Sequence, residues 1–201
     1  MTDEIYPPRR ARVHRETKET SVRVVLDLDG TGEARVSTGV PFLDHMLDAL
    51  ARHGGLDLEV EARGDLEVDD HHTAEDVAIQ LGRALGEALG DRSGIVRFGS
   101  AYAPLDEALV RAVVDLSGRP WPEVHLEFRR EQLGGLATEN VVHFMRTLSL
   151  EGRFALHLDE IRAENDHHRA EAAFKALALA LRAAVARTDS DRVPSTKGVL
   201  S

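Results

Sequence analysis

The 201 residues include 35 Asp and Glu against 25 Lys and Arg, a formal net charge of −10 that repels phosphate backbones and anionic lipid, so neither nucleic acid nor a membrane is the expected partner. No cysteine is present, which excludes disulfides, thiolate nucleophiles and Cys-based zinc sites and leaves nitrogen and oxygen as ligands for any metal. No apolar run approaches the ~20 residues that span a bilayer, and Met1-Thr2-Asp3-Glu4 lacks the start of a secretory signal, so a soluble, cytoplasmic protein is expected.

Taken in chain order, the predicted elements occur twice. Val22–Gly30 alternates apolar and polar residues into a turn, and Val110–Gly118 repeats that pattern without gaps, so both are read as strands. A short helix around His45 (Phe42-Leu43-Asp44-His45-Met46-Leu47, then Leu50 and Gly54) matches one around His143 (Asn140-Val141-Val142-His143-Phe144-Met145, then Leu148 and Gly152), with glycine expected to end each. Strands carrying Leu56, Leu58 and Val60, and Phe154, Leu156 and Leu158, come next in the two copies. Last in each copy is a long helix, His71 to Leu89 and His167 to Ala186, with Asp70 and Asp166 as the expected N-caps. The expected fold class is α+β: an internal duplication, residues 10–92 and 97–187, each half a mixed β-sheet with helices on one face, followed by a polar tail, 188–201.

The long helices open His71-His72-Thr73-Ala74-Glu75 and His167-His168-Arg169-Ala170-Glu171. A single HHxxE could be a solvated helix start; its recurrence at equivalent places, with His45 and His143 equivalent upstream, points to divalent-metal ligands. Adjacent histidines point about 100° apart on a helix, so each pair serves two sites rather than one. Pseudo-symmetry suggests one ion on His45, His72, Glu75 and His167, and a second on His143, His168, Glu171 and His71. His14, His125 and His157 have no partners at ligand spacing and are expected to be structural or exposed.

The strings Phe42–Leu47, Asp70–Asp76 and Asn165–Glu171, the terminal Ser195-Thr196-Lys197 and the duplication resemble the imidazoleglycerol-phosphate dehydratase family of histidine biosynthesis, over nearly the whole chain. The resemblance implies a lyase that removes water from imidazole glycerol phosphate to give imidazole acetol phosphate. It also implies two Mn²⁺ per active site, helices enclosed between two sheets, and a homo-oligomer of 24 subunits with sites between chains. The carbon-bound hydrogen is not acidified by a carbonyl, so the ring must take the charge as a metal-bound imidazolate. Glu171 is the first candidate for the base and Glu19 the second. Arg97, Arg119, Lys175, Ser195 and Lys197 match the family's anion-binding positions, with the tail contributing to the phosphate site, and His53 falls in its substrate-binding stretch. Lys175 has Ile79 as its repeat counterpart, which suggests that the repeats have divided roles. A metal-dependent hydrolase or a metal-binding protein would use the same ligand types, but the HExxH signature of helical zinc hydrolases is absent.

Overall fold

The computed structural model describes residues 8–190, 192–195 and 200. The first repeat contains β1 (Arg10–Glu16), β2 (Thr20–Asp27), β3 (Ala34–Ser37), α1 (Pro41–Gly54), β4 (Asp57–Gly64) and α2 (His71–Leu89). The second contains β5 (Phe98–Leu105), β6 (Ala108–Asp115), β7 (Trp121–His125), a small hairpin of β8 (Gln132–Leu133) and β9 (Leu136–Ala137), α3 (Thr138–Gly152), β10 (Ala155–Arg162) and α4 (Asp166–Val185).

Each repeat builds a four-stranded mixed sheet, ordered β1-β2-β4-β3 in one and β5-β6-β10-β7 in the other. The last pair of each is parallel and the others antiparallel. Register follows the duplication: Val13, Val24, Val60 and Val36 form one cross-strand row, and Ala101, Ala112, Leu158 and Val124 form the matching row. Alternation along β2 buries Val22, Val24 and Leu26 against the helices, as Val110, Ala112 and Val114 do on β6. The chain is α+β as expected, and its buried apolar residues form one core running through both repeats.

Helix pairing crosses the repeat boundary. α2 lies on β1 and β2 and packs along α3; α4 lies on β5 and β6 and packs along α1. The α2–α3 contact is close because Gly82 has no side chain: a Cβ there would lie 2.8 Å from the Gly152 nitrogen and 3.0 Å from the Leu148 carbonyl oxygen.

The helix ends differ in detail from expectation. Gly54 and Gly152 are the last residues of α1 and α3, and the left-handed turn falls one residue later, at Gly55 (φ 67°) and Arg153 (φ 53°). Asp70 occupies the N-cap position of α2 as expected but does not cap it with its side chain; Asp69 accepts from the His71 N–H at 2.9 Å. In α4 the cap is Asn165, which accepts from the His167 N–H at 2.8 Å. Both expected caps have other partners. Asp70 accepts from Ala137 N and Asn140 Nδ2, and Asp166 from the backbone of Arg129 and Arg130 and from the Arg169 guanidinium. No described helix is long and apolar enough to cross a membrane.

Candidate metal centres

Two clusters of three ligands form where the long helices begin. His45 of α1 meets His167 and Glu171 of α4, and His143 of α3 meets His71 and Glu75 of α2; within each cluster the ligating atoms lie within 4.8 Å of one another. In the first, Glu171 Oε2 is 3.1 Å from His45 Nε2 and 3.2 Å from His167 Nε2. In the second, Glu75 Oε1 is 3.0 Å from His143 Nε2, and the rings of His71 and His143 stack at 5.0 Å. Imidazole nitrogens and one carboxylate, partly open to solvent, are a donor set that fits a divalent ion with coordination positions to spare.

This grouping corrects the pseudo-symmetric expectation in two respects. The glutamates are exchanged: Glu171, not Glu75, lies with His45, and Glu75, not Glu171, lies with His143. The cause is the helix pairing, since each long helix lies beside the short helix of the other repeat. His72 and His168 join neither cluster. Each is instead turned by a carboxylate on Nδ1, with Asp65 at 3.1 Å from His72 and Glu107 at 2.8 Å from His168, which leaves Nε2 as the outward nitrogen, with Asp106 3.9 Å from that of His168. Those hydrogen bonds raise both histidine pKa values, and the bond from His168 holds Glu107 down to about 2.

Asp65 and Glu107 were missed in the sequence, although one signal pointed to Glu107. Extending the alignment of Val22 with Val110 makes Glu107 the repeat counterpart of Glu19. Glu107 bonds His168 and accepts from the backbone of Glu164 and Asn165, whereas in the first repeat Asp65 serves His72. Glu19 is thereby left exposed on the β1–β2 turn, its backbone N–H bonded to Thr17 Oγ1.

The candidate anion-binding residues fall into two groups. Lys175 Nζ sits 2.6 Å from Glu171 Oε1, one helical turn on. Burial acts to raise the Glu171 pKa, but Lys175 and His45 outweigh it and hold the carboxyl at about 2. His53 lies close enough for burial and the Lys175 charge to lower its pKa. Arg97 is far from the Glu171 cluster: its N–H bonds Ala184 O, 13 residues beyond Glu171 on α4, or roughly 20 Å along the axis. Its guanidinium holds Asp115 at 2.7 Å and the Pro194 carbonyl at 2.7 Å, which brings the tail before Ser195 to the same end. Arg119 is exposed just beyond β6, where Leu116 N bonds the Arg97 carbonyl. Lys197 lies outside the described residues. His14, His125 and His157 are exposed on the outer sheet faces.

Fold and clusters together define a class: a duplicated α+β protein with a His₂Glu centre on each of two helix pairs. The imidazoleglycerol-phosphate dehydratase family profile matches residues 38–181, and the chain belongs to that family. An imidazoleglycerol-phosphate dehydratase from Salinibacter ruber is 56% identical over 100% of both chains. One from Phytophthora nicotianae is 55% identical over 96% of this chain, which spans 43% of that longer relative. Among solved structures, the dehydratase from Staphylococcus aureus superposes with a TM-score of 0.81 at 38% identity, covering 89% of this chain and 99% of that one. The one from Pyrococcus furiosus gives 0.80 at 39%, covering 94% and 100%.

Proposed function

We propose that this chain dehydrates D-erythro-imidazole glycerol phosphate to imidazole acetol phosphate in histidine biosynthesis, in the cytoplasm, with two Mn²⁺ per active site. The observation that carries the reading is the pair of His₂Glu clusters at matching helix starts. His71, Glu75 and His143 would hold one ion, and His45, His167 and Glu171 the other. Bound divalent ions supply Lewis acidity to a ring nitrogen and a fixed anchor for a substrate hydroxyl.

Everything else falls to the side chains. Both oxygens of Glu171 are engaged, Oε1 by Lys175 and Oε2 by His45 and His167, so of the two candidate bases Glu19 is left to take the carbon-bound proton. Lys175 and His53 face the substrate at the Glu171 end. Arg97, Arg119, Ser195 and Lys197 bind the phosphate, with arginine supplying a planar fork.

Two observations support active sites built between copies of the chain; the number of copies, 24, is what the family resemblance implies. His72 and His168 are oriented for ligation yet lie outside their own chain's clusters, so they complete the centres of neighbouring subunits. The Arg97 group lies too far along α4 to reach a phosphate held beside Glu171 of the same chain. The test is to strip the chain of metal, reload it with Mn²⁺ and assay imidazole acetol phosphate. His72→Ala and His168→Ala should each abolish turnover; retained activity in either refutes the two-centre site.

A further inference from the structure

The two centres are related by the duplication but are not supported alike. His71 Nδ1 lies 2.9 Å from Asn140 Oδ1. The Asn140 amide cannot turn freely, because its Nδ2 donates to Asp70 Oδ2 at 2.9 Å, and that carboxylate also accepts from Ala137 N at 2.8 Å. Asn140 is only 3% exposed. With Oδ1 fixed as the acceptor, His71 carries its proton on Nδ1 and presents Nε2 to the cluster.

At the other centre the residue equivalent to Asn140 is Phe42. Its ring meets His167 edge-on at 5.2 Å, offering a wall but no acceptor. Asp166, the counterpart of Asp70, is turned instead toward Arg169 and the backbone of Arg129 and Arg130. Lys175 also places an ammonium 2.6 Å from Glu171, where the first repeat has Ile79 beyond Glu75. A cation arriving at Glu171 must displace that contact and tolerate its charge; one arriving at Glu75 meets neither obstacle.

We propose that the two centres load in order: the His71/Glu75/His143 centre binds its ion first and more tightly, with Asn140 as the residue that sets the difference. This rests on the two-metal reading above. A hydrogen-bonded partner behind a metal-ligating histidine is worth about 10- to 100-fold in affinity, and the Lys175 contact acts in the same direction. In the assembled enzyme the ligands offered by His72 and His168 do not level the centres, since each already has a carboxylate behind it.

The test is a calorimetric titration of the full-length, metal-stripped protein with Mn²⁺, with free ion followed by its electron paramagnetic resonance signal. Two binding steps separated by at least about tenfold are expected. Asn140→Leu should weaken the tighter step by about 10- to 100-fold and leave the weaker one in place. Phe42→Asn should tighten the weaker step; if circular dichroism shows that this variant does not fold, Lys175→Met should move the same step in the same direction. Two ions bound with one affinity, or an Asn140→Leu effect confined to the weaker step, overturns the order and leaves the dehydratase reading standing. Absence of any Mn²⁺ binding overturns both.

Discussion

Arg169 ties the fold to the metal centres. It is 1% exposed and lies three residues into α4, between His168 and Glu171. Its guanidinium bonds Glu160 through Nε at 2.6 Å and Nη2 at 3.2 Å, the Ala163 carbonyl at 3.0 Å, and Asp166, itself 2% exposed. Arg169→Met keeps the aliphatic stem and removes the charge, leaving two carboxylates facing each other with only backbone donors near Asp166. Removing one partner of a buried ion network costs about 3–5 kcal/mol. At about 2–4 °C per kcal/mol for a chain of this length, the melting temperature of metal-free protein should fall by roughly 6–20 °C. The measurement is paired thermal and urea unfolding of Arg169→Met and of the triple variant Arg169→Met/Asp166→Asn/Glu160→Gln, in which no buried charge is orphaned. The triple variant should recover most of the loss. A single-variant cost below about 1 kcal/mol, the range of an exposed pair, would falsify the argument that this network anchors the start of α4.

Gly82→Val places a branched side chain where a Cβ alone would approach Gly152 N to 2.8 Å, so α2 and α3 must separate; a loss of about 1–3 kcal/mol in chemical denaturation is expected, with weaker Mn²⁺ binding at the His71/Glu75/His143 centre. In metal-free protein the Glu107–His168 pair should contribute in full between pH 4.5 and 6.5, the ordinary values of its two groups. Its stabilisation is lost as acid protonates Glu107 toward pH 2, and lost again as rising pH deprotonates His168 through its raised value. The stability gap between wild type and Glu107→Gln, followed by urea denaturation across pH, should therefore narrow above neutrality; a gap that widens above neutrality contradicts the pairing. Glu19→Gln should lower kcat by about 10²–10⁴-fold while two Mn²⁺ remain bound, and unchanged kcat would return the proton to another group.

Much of this was legible in the chain because duplication supplies an internal control. His71, Glu75, His167 and Glu171 stood out by recurring at one spacing, and the long helices began within one residue of expectation. Partnerships across the repeat boundary were not legible. Which glutamate meets His45 depends on α1 lying against α4, and spacing within either repeat cannot encode that packing. The caps were legible in part: Asp70 stands at the N-cap of α2, but its carboxylate is drawn to Asn140 by tertiary structure, while α4 is capped one residue earlier than expected, by Asn165, and Asp166 turns to Arg169. The separation of Arg97 from Lys175 became visible only once α4 was seen to run between them. Strands of two residues such as β8 and β9 carry too little periodicity to announce themselves.

That small hairpin lies in a stretch that joins the starts of both long helices. Arg129 and Arg130 donate their backbone N–H groups to Asp166 at the head of α4, and Ala137, at the other end of the stretch, donates to Asp70 at the head of α2. A chain cut near Gly94 would therefore consist of two fragments, of which the first, on its own, lacks the donors that engage its Asp70. Ancestry as two copies does not make the repeats separable: heat should melt them in one calorimetric transition, and a protease that opens the junction should leave a nicked complex rather than two autonomous folds.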